Sequence, residues 1–200
     1  MFQFLQEQQE QEHTADTTEL YWESWRRQML AWQFSLAKAC DFHTDTIEVA
    51  MSVVDRFVAV QQQLLHQATR YQLACMASFY IAVKVHQSQC LTPEQIQTLS
   101  AGRFKASDIE TMEMEILQTI QWRVNPPTMA ASCESLVQLI PSTMLPPSVQ
   151  REQVLEVAVA LIPLALPEAS LATECILELA LACVATAFRY VIKSVNHKQY

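Results

Sequence analysis

An all-α fold is what this 200-residue chain predicts, and three observations predict it. The first is its single Gly, set against an average share of roughly 7%. Sandwiches, barrels and phosphate-binding loops lean on glycine for tight turns and close backbone approach. The second is the material itself. Half of the residues are apolar and 17% are charged, enough to bury a core, and Ala, Leu, Gln, Glu and Met, all helix formers, supply the bulk. The third is spacing, because apolar residues recur at intervals of two to four along most of the chain.

The elements follow in order. Residues 1–17 are polar, Gln-rich and acidic and read as a flexible tail. A first helix is predicted over 18–40, carrying Leu20, Trp22, Trp25, Met29, Trp32, Leu36 and Ala39 at helical intervals. A second is expected after a cap signal at Thr44 and Asp45, through Ile47, Val49, Ala50, Val53, Val54, Phe57 and Val58. Residues 61–69 read as a connection. The third helix, from Arg70 to about Val85, is apolar on every side, as Leu73, Ala74, Cys75, Met76, Ala77, Phe79, Ile81, Ala82 and Val83 show. Such a helix is one surrounded by others, and its alanines let neighbours approach closely.

Thr92-Pro93-Glu94-Gln95 is a capping box with Pro at the first helical position, announcing a short fourth helix. A fifth is predicted over about 105–121, and Asn125-Pro126-Pro127 ends the unit. The second half is helical again. Thr128 caps a helix to Ile140, Pro141, Pro146 and Pro147 make a linker, and helices start near Val149 and Ala169. The expected organisation is a tail over 1–17, a five-helix unit over 18–127 and a smaller helical unit over 128–200.

Charge and motifs exclude several classes of function. The chain carries a net charge of −8. Glu7, Glu10, Glu12, Asp16 and Glu19 put −5 of it in the first twenty residues. No basic face is offered to nucleic acid. The six cysteines (40, 75, 90, 133, 175, 183) contain no C-x-x-C pair and read as reduced, intracellular core thiols rather than metal ligands. No basic region precedes the short apolar start, so no signal peptide is expected. The most apolar stretch, 157–166, holds Pro163 and stops at Pro167 and Glu168, short of the roughly 20 residues a membrane span needs. There is no glycine phosphate loop, no H-E-x-x-H and no nucleophile elbow, and the histidines (13, 43, 66, 86, 197) are scattered. Catalysis by this chain, a metal and a cofactor are not expected.

Two pairs of charged residues stand out. Lys84 is the one charged side chain after Arg70 in the third helix, and Glu113 lies among Met112, Met114, Ile116 and Leu117 on the fifth. Facing each other at the ends of adjacent helices, they would clamp a partner's backbone groups, where charge-assisted bonds are strong. The plainer reading is a surface Lys and a solvated Glu. Arg26 and Asp55, on the first and second helices, suit a buried pair that sets helix register.

Five helices around an Ala-rich third one, with Asp55-Arg56-Phe57 ending the second, resemble a cyclin box. Arg26, Asp55, Leu73, Lys84 and Glu113 fall in order on the helices where that family carries Arg, Asp, Leu, Lys and Glu. The surrounding strings agree at 26–32, 54–57, 71–73, 81–84 and 112–122. The resemblance covers about 20–140, and 91–128 looks most like the G1-type cyclins. It implies a non-catalytic subunit that binds and activates a cyclin-dependent protein kinase and controls cell-cycle progression at G1 or G1/S. Such a subunit is expected in nucleus and cytoplasm, with ATP and magnesium belonging to the kinase. The alternative is a cyclin-fold adaptor or transcription-complex scaffold that activates no kinase.

By the same resemblance, Lys84 and Glu113 contact the kinase, and Ile81, Val85, Leu117, Trp122 and Val124 pack on its movable helix. Trp122 alternatively closes the core of its own unit. Arg26 and Asp55 form the structural pair. Trp25, Met29, Trp32 and Gln72 correspond to a patch that docks kinase substrates or inhibitors, with core packing the other reading of the tryptophans. Gln28 stands where the family has Ile, Ser35 where it often has an acid, and Val85-His86-Gln87 replaces the usual acidic residues after the Lys. The 128–200 region corresponds to a partial second cyclin-like unit.

Overall fold

The computed structural model describes residues 15–88, 90–172 and 174–197. Among them are eight α-helices and no strand, as the composition requires. The chain divides between Pro126 and Pro127 into two compact units.

The first unit is built around α3 (Ala68–His86). From Ala74 through Val83 every side chain of this helix is buried, including the small Ala74, Cys75, Ala77, Ser78 and Ala82. With no polar face to turn to water, the helix must be enclosed. It packs against α1 (Ala15–Cys40), α2 (Thr44–Val60), α4 (Pro93–Leu99) and α5 (Ala106–Thr119). α2 is its largest neighbour, contributing Ile47, Val49, Ala50, Met51, Val53, Val54, Phe57 and Val58 to the core. Phe79 of α3 meets Trp32 edge-on at 5.7 Å between centroids and Phe42 at 6.4 Å, and Trp25 meets Tyr71 at 6.4 Å. Aromatic pairs at these spacings add about 0.5–1.5 kcal/mol each beyond area burial.

The ends of the elements depart from the sequence expectations in instructive ways. α1 opens at Ala15, three residues before the predicted start, so the expected tail is helical in its last three residues; 1–14 lie outside the described residues. The Thr44–Asp45 cap signal is displaced: Thr44 is already helical, and the cap position falls on His43, which makes no side-chain capping bond. The connection at 61–69 holds a 3-10 turn, Gln62–His66, because Leu64 is drawn fully into the core. The Thr92 box forms as read: its hydroxyl accepts from the Gln95 amide, and the Gln95 side chain accepts from the Thr92 amide.

The second unit contains α6 (Met129–Gln138), α7 (Arg151–Ala165) and α8 (Ile176–His197). Thr128 caps α6 through the Ala131 amide at 3.1 Å. α7 runs through Pro163 instead of breaking there. The helix expected from Ala169 starts only at Ile176, since 169–171 form a separate 3-10 turn and the Glu178 and Leu179 amides find their acceptor at Cys175. Cys133, Val137, Val149, Val154, Ala158, Ala180, Val184, Ala187 and Val191 make the core of this unit. No helix among the described residues is long and apolar enough to cross a membrane.

None of the six cysteines is in a disulfide, but they are not all core thiols. Cys75, Cys133 and Cys183 are buried and Cys40 is half-buried, while Cys90 and Cys175, in the connections before α4 and α8, are exposed. Complete burial pushes the Cys75 thiol up to about 12, so it stays protonated and unreactive. A thiol-labelling time course at pH 8 is expected to modify Cys90 and Cys175 first, and Cys75, Cys133 and Cys183 only as the protein unfolds. Fast labelling of Cys75 in the folded chain would contradict this packing.

Candidate functional site

Where α3 leaves the core, its last turn carries Lys84, a position in which a cation also complements the helix dipole. Lys84 Nζ forms an ion pair with Oε1 of Glu113 on α5. It also stands 4.2 Å from the centroid of the Tyr80 ring, one turn back on the same helix. Burial pushes the Tyr80 hydroxyl above its ordinary value, against the pull of Lys84, so the ring stays neutral and serves as a cation–π partner. The Lys84 side chain is 36% exposed and that of Glu113 12%, which places the pair at the surface with the carboxylate the more enclosed member.

The crossing of α3 and α5 is held at a second point. Arg70, in the first turn of α3, bonds Glu115 at 2.5 Å. Residues two apart on a helix point to nearly opposite sides, so Glu113 and Glu115 reach towards opposite ends of α3 and bracket the contact. Gln87, just past α3, donates to the Thr46 hydroxyl at 2.6 Å and ties that end of the helix to the start of α2.

The elements that carry the Lys84–Glu113 pair, and the segment that follows α5, also carry exposed apolar side chains. Val85 is 42% exposed, Met114 46% and Trp122 60%. Val124 is half-buried, whereas Ile81 and Leu117 belong to the core and support the surface from beneath. Trp122 therefore does not close the core of its own unit. Gln121 and Trp122 follow α5 with φ of 57° and 60°, a left-handed turn in which the Trp122 amide donates back to Leu117 at 2.8 Å. In that conformation the indole projects from the end of α5. Met114 was not among the sequence candidates; an exposed methionine beside the pair is the signal that identifies it.

Arg26 and Asp55 meet as expected, in a two-pronged bond that includes Nη2 to Oδ2 at 3.0 Å. Arg26 is 2% exposed and lies 5.9 Å from the centroid of the Trp22 ring. Burial pushes the Asp55 carboxyl above its ordinary value, and Arg26 draws it back down. The pair joins α1 to α2.

The docking patch is corrected at three of its four positions. Trp25, Met29 and Gln72 are buried, at 7%, 2% and 1% exposure, because the face of α1 that carries Trp25 and Met29 is the one turned to the core. Trp32 is half-buried against Phe79.

The Cyclin, N-terminal domain family matches residues 1–125. This chain belongs to the cyclin family. It is 25% identical over 114 residues to the G1/S-specific cyclin-E1 of Rattus norvegicus, covering 57% of this chain and 27% of that protein. To the G1/S-specific cyclin-D of Caenorhabditis elegans it is 28% identical over 116 residues, covering 58% and 28%. To Cyclin-D3-2 of Arabidopsis thaliana it is 31% identical over 106 residues, covering 52% and 29%. The chain thus spans less than a third of the length of these curated relatives. The X-ray structure of a viral cyclin from herpesvirus saimiri superimposes with a TM-score of 0.63 at 20% identity, over 87% of this chain and 71% of that one. That likeness establishes the cyclin fold.

Burial separates the two ion pairs in their expected cost. Asp55→Ala leaves the Arg26 charge enclosed without a counter-ion, a loss of about 3 kcal/mol. Lys84→Ala removes a partner that is over a third exposed, and its expected loss is under about 1 kcal/mol. Urea unfolding of both variants checks the contrast; equal losses would contradict it.

Proposed function

We propose that this cyclin is a non-catalytic regulatory subunit that binds and activates a cyclin-dependent protein kinase, and so controls cell-cycle progression at G1 or G1/S. The observation that carries the reading is the Lys84–Glu113 pair, held at the surface, with exposed Val85 and Met114 next to it in the chain and exposed Trp122 past the end of α5. Large exposed apolar residues beside a polar pair have the make-up of an interface core. A lysine and a glutamate already oriented by each other and by Tyr80 lose little further freedom on binding. Lys84 offers donors to a partner's carbonyl groups and Glu113 acceptors to its amides, and both contacts strengthen as water leaves the interface.

On this reading the surface packs on the kinase's movable helix. That helix then brings its Glu to the ATP-site Lys and helps order the activation loop. The cyclin binds the active conformation more tightly and shifts the population towards it. Residues 18–127 form the cyclin box, 128–200 a partial second cyclin-like unit, and the complex works in nucleus and cytoplasm.

The test is capture of kinase from a cell extract, with activity assayed on the bead. The bait is the wild-type chain beside a Lys84→Ala, Glu113→Ala double variant whose folding is checked by circular dichroism. The expected result is an active kinase with the wild type and at least a tenfold loss with the double variant. A folded wild-type bait that retains no kinase, or equal activity with both baits, would favour the adaptor role or a different contact surface.

A further inference from the structure

We propose that Arg56 is a positioning residue: by holding the Arg123 carbonyl it keeps the left-handed turn at 121–122 in the form that presents Trp122. The inference deepens the reading of Trp122 as partner-binding surface and rests on that reading for its effect on affinity.

Neither Gln121 nor Trp122 favours the conformation it adopts. In the left-handed region the Cβ atom crowds the following carbonyl oxygen, and chains usually place glycine there. This chain has one glycine, and it stands elsewhere, at Gly102 with φ 74°. Two such residues in succession persist only where the surroundings over-determine them. Part of the restraint is local: Gln121 donates to Gln118 at 3.2 Å, Trp122 to Leu117 at 2.8 Å, and Val124 to Trp122 at 3.0 Å. These bonds tie the turn to α5 and to itself.

The tie to another element comes from Arg56. Its Nε donates to the Ser52 carbonyl at 3.1 Å, one turn back on α2, which fixes the plane of the guanidinium. Its Nη1 donates to the Arg123 carbonyl at 2.7 Å, across 67 residues of sequence. A rigid fork is suited to this task, because one planar group serves two carbonyls at once. The residue is half-buried at the end of α2, the helix packed most extensively on α3, so the turn is referenced to the core of the unit. Lysine has one terminal nitrogen on a flexible stem and can serve the Arg123 carbonyl without the second, orienting bond.

The test uses the full chain with 5-fluorotryptophan at its four Trp positions. The fluorine resonance that disappears in Trp122→Phe belongs to Trp122. Arg56→Met, which keeps length and loses both bonds, is expected to shift and broaden that resonance alone, with Arg56→Lys between it and wild type. Affinity for a purified cyclin-dependent kinase is then measured for both variants, with and without Trp122→Ala. Arg56→Met is expected to weaken binding about tenfold where Trp122 is present and less than twofold where it is not. An unmoved Trp122 resonance, or an equal loss in both backgrounds, would overturn the proposal. If Trp122→Ala alone leaves kinase affinity unchanged, the partner-surface reading of Trp122 fails, and the resonance by itself decides whether Arg56 positions the turn. Arg56→Lys, which keeps the charge and most of the stem, carries the same comparison should the methionine variant not fold.

Discussion

The enclosure of α3 is the constraint on which the rest of the first unit depends. A helix with no polar face from Ala74 to Val83 is stable only inside a ring of other helices. Its small residues let that ring close at short range. α2 supplies the largest apolar face, α1 closes one side through the Trp32, Phe42 and Phe79 contacts, and α5 crosses with an ion pair on either side. α3 meets the surface at both ends, through Arg70 in its first turn and Lys84 in its last. The candidate site stands at the C-terminal exit of the core helix.

Burial divides the work between the two long-range ion pairs that a sequence reading singles out. Arg26–Asp55 has its guanidinium enclosed, so its value lies in the cost of separating it, and it fixes α1 on α2. Lys84–Glu113 keeps its ammonium over a third exposed and its carboxylate largely enclosed, and contributes little to folding.

The helices were legible because their signals are local. The apolar circumference of α3 and the Thr92 capping box are properties of neighbouring residues, and they appear where the pattern puts them. The Lys84–Glu113 and Arg26–Asp55 pairs were legible for a different reason, since their order along the chain matches that of the cyclin family. What escaped is what depends on tertiary neighbours. Nothing local says that the α1 face bearing Trp25 and Met29 turns inward, that Arg70 reaches Glu115, or that Arg56 reaches the Arg123 carbonyl. The left-handed turn at Gln121 and Trp122 has no glycine to announce it. The early start of α1 and the late start of α8 are end effects, settled by packing more than by propensity.

Hydrogen–deuterium exchange of the chain, free and bound to a purified cyclin-dependent kinase, locates the interface. The account predicts that binding protects the last turn of α3, α5 from Glu113 onward and residues 120–124, while amides on the outer face of α1 exchange as in the free protein. Protection of α1 with no change at the α3 exit and the Trp122 turn would place the interface elsewhere and contradict the account.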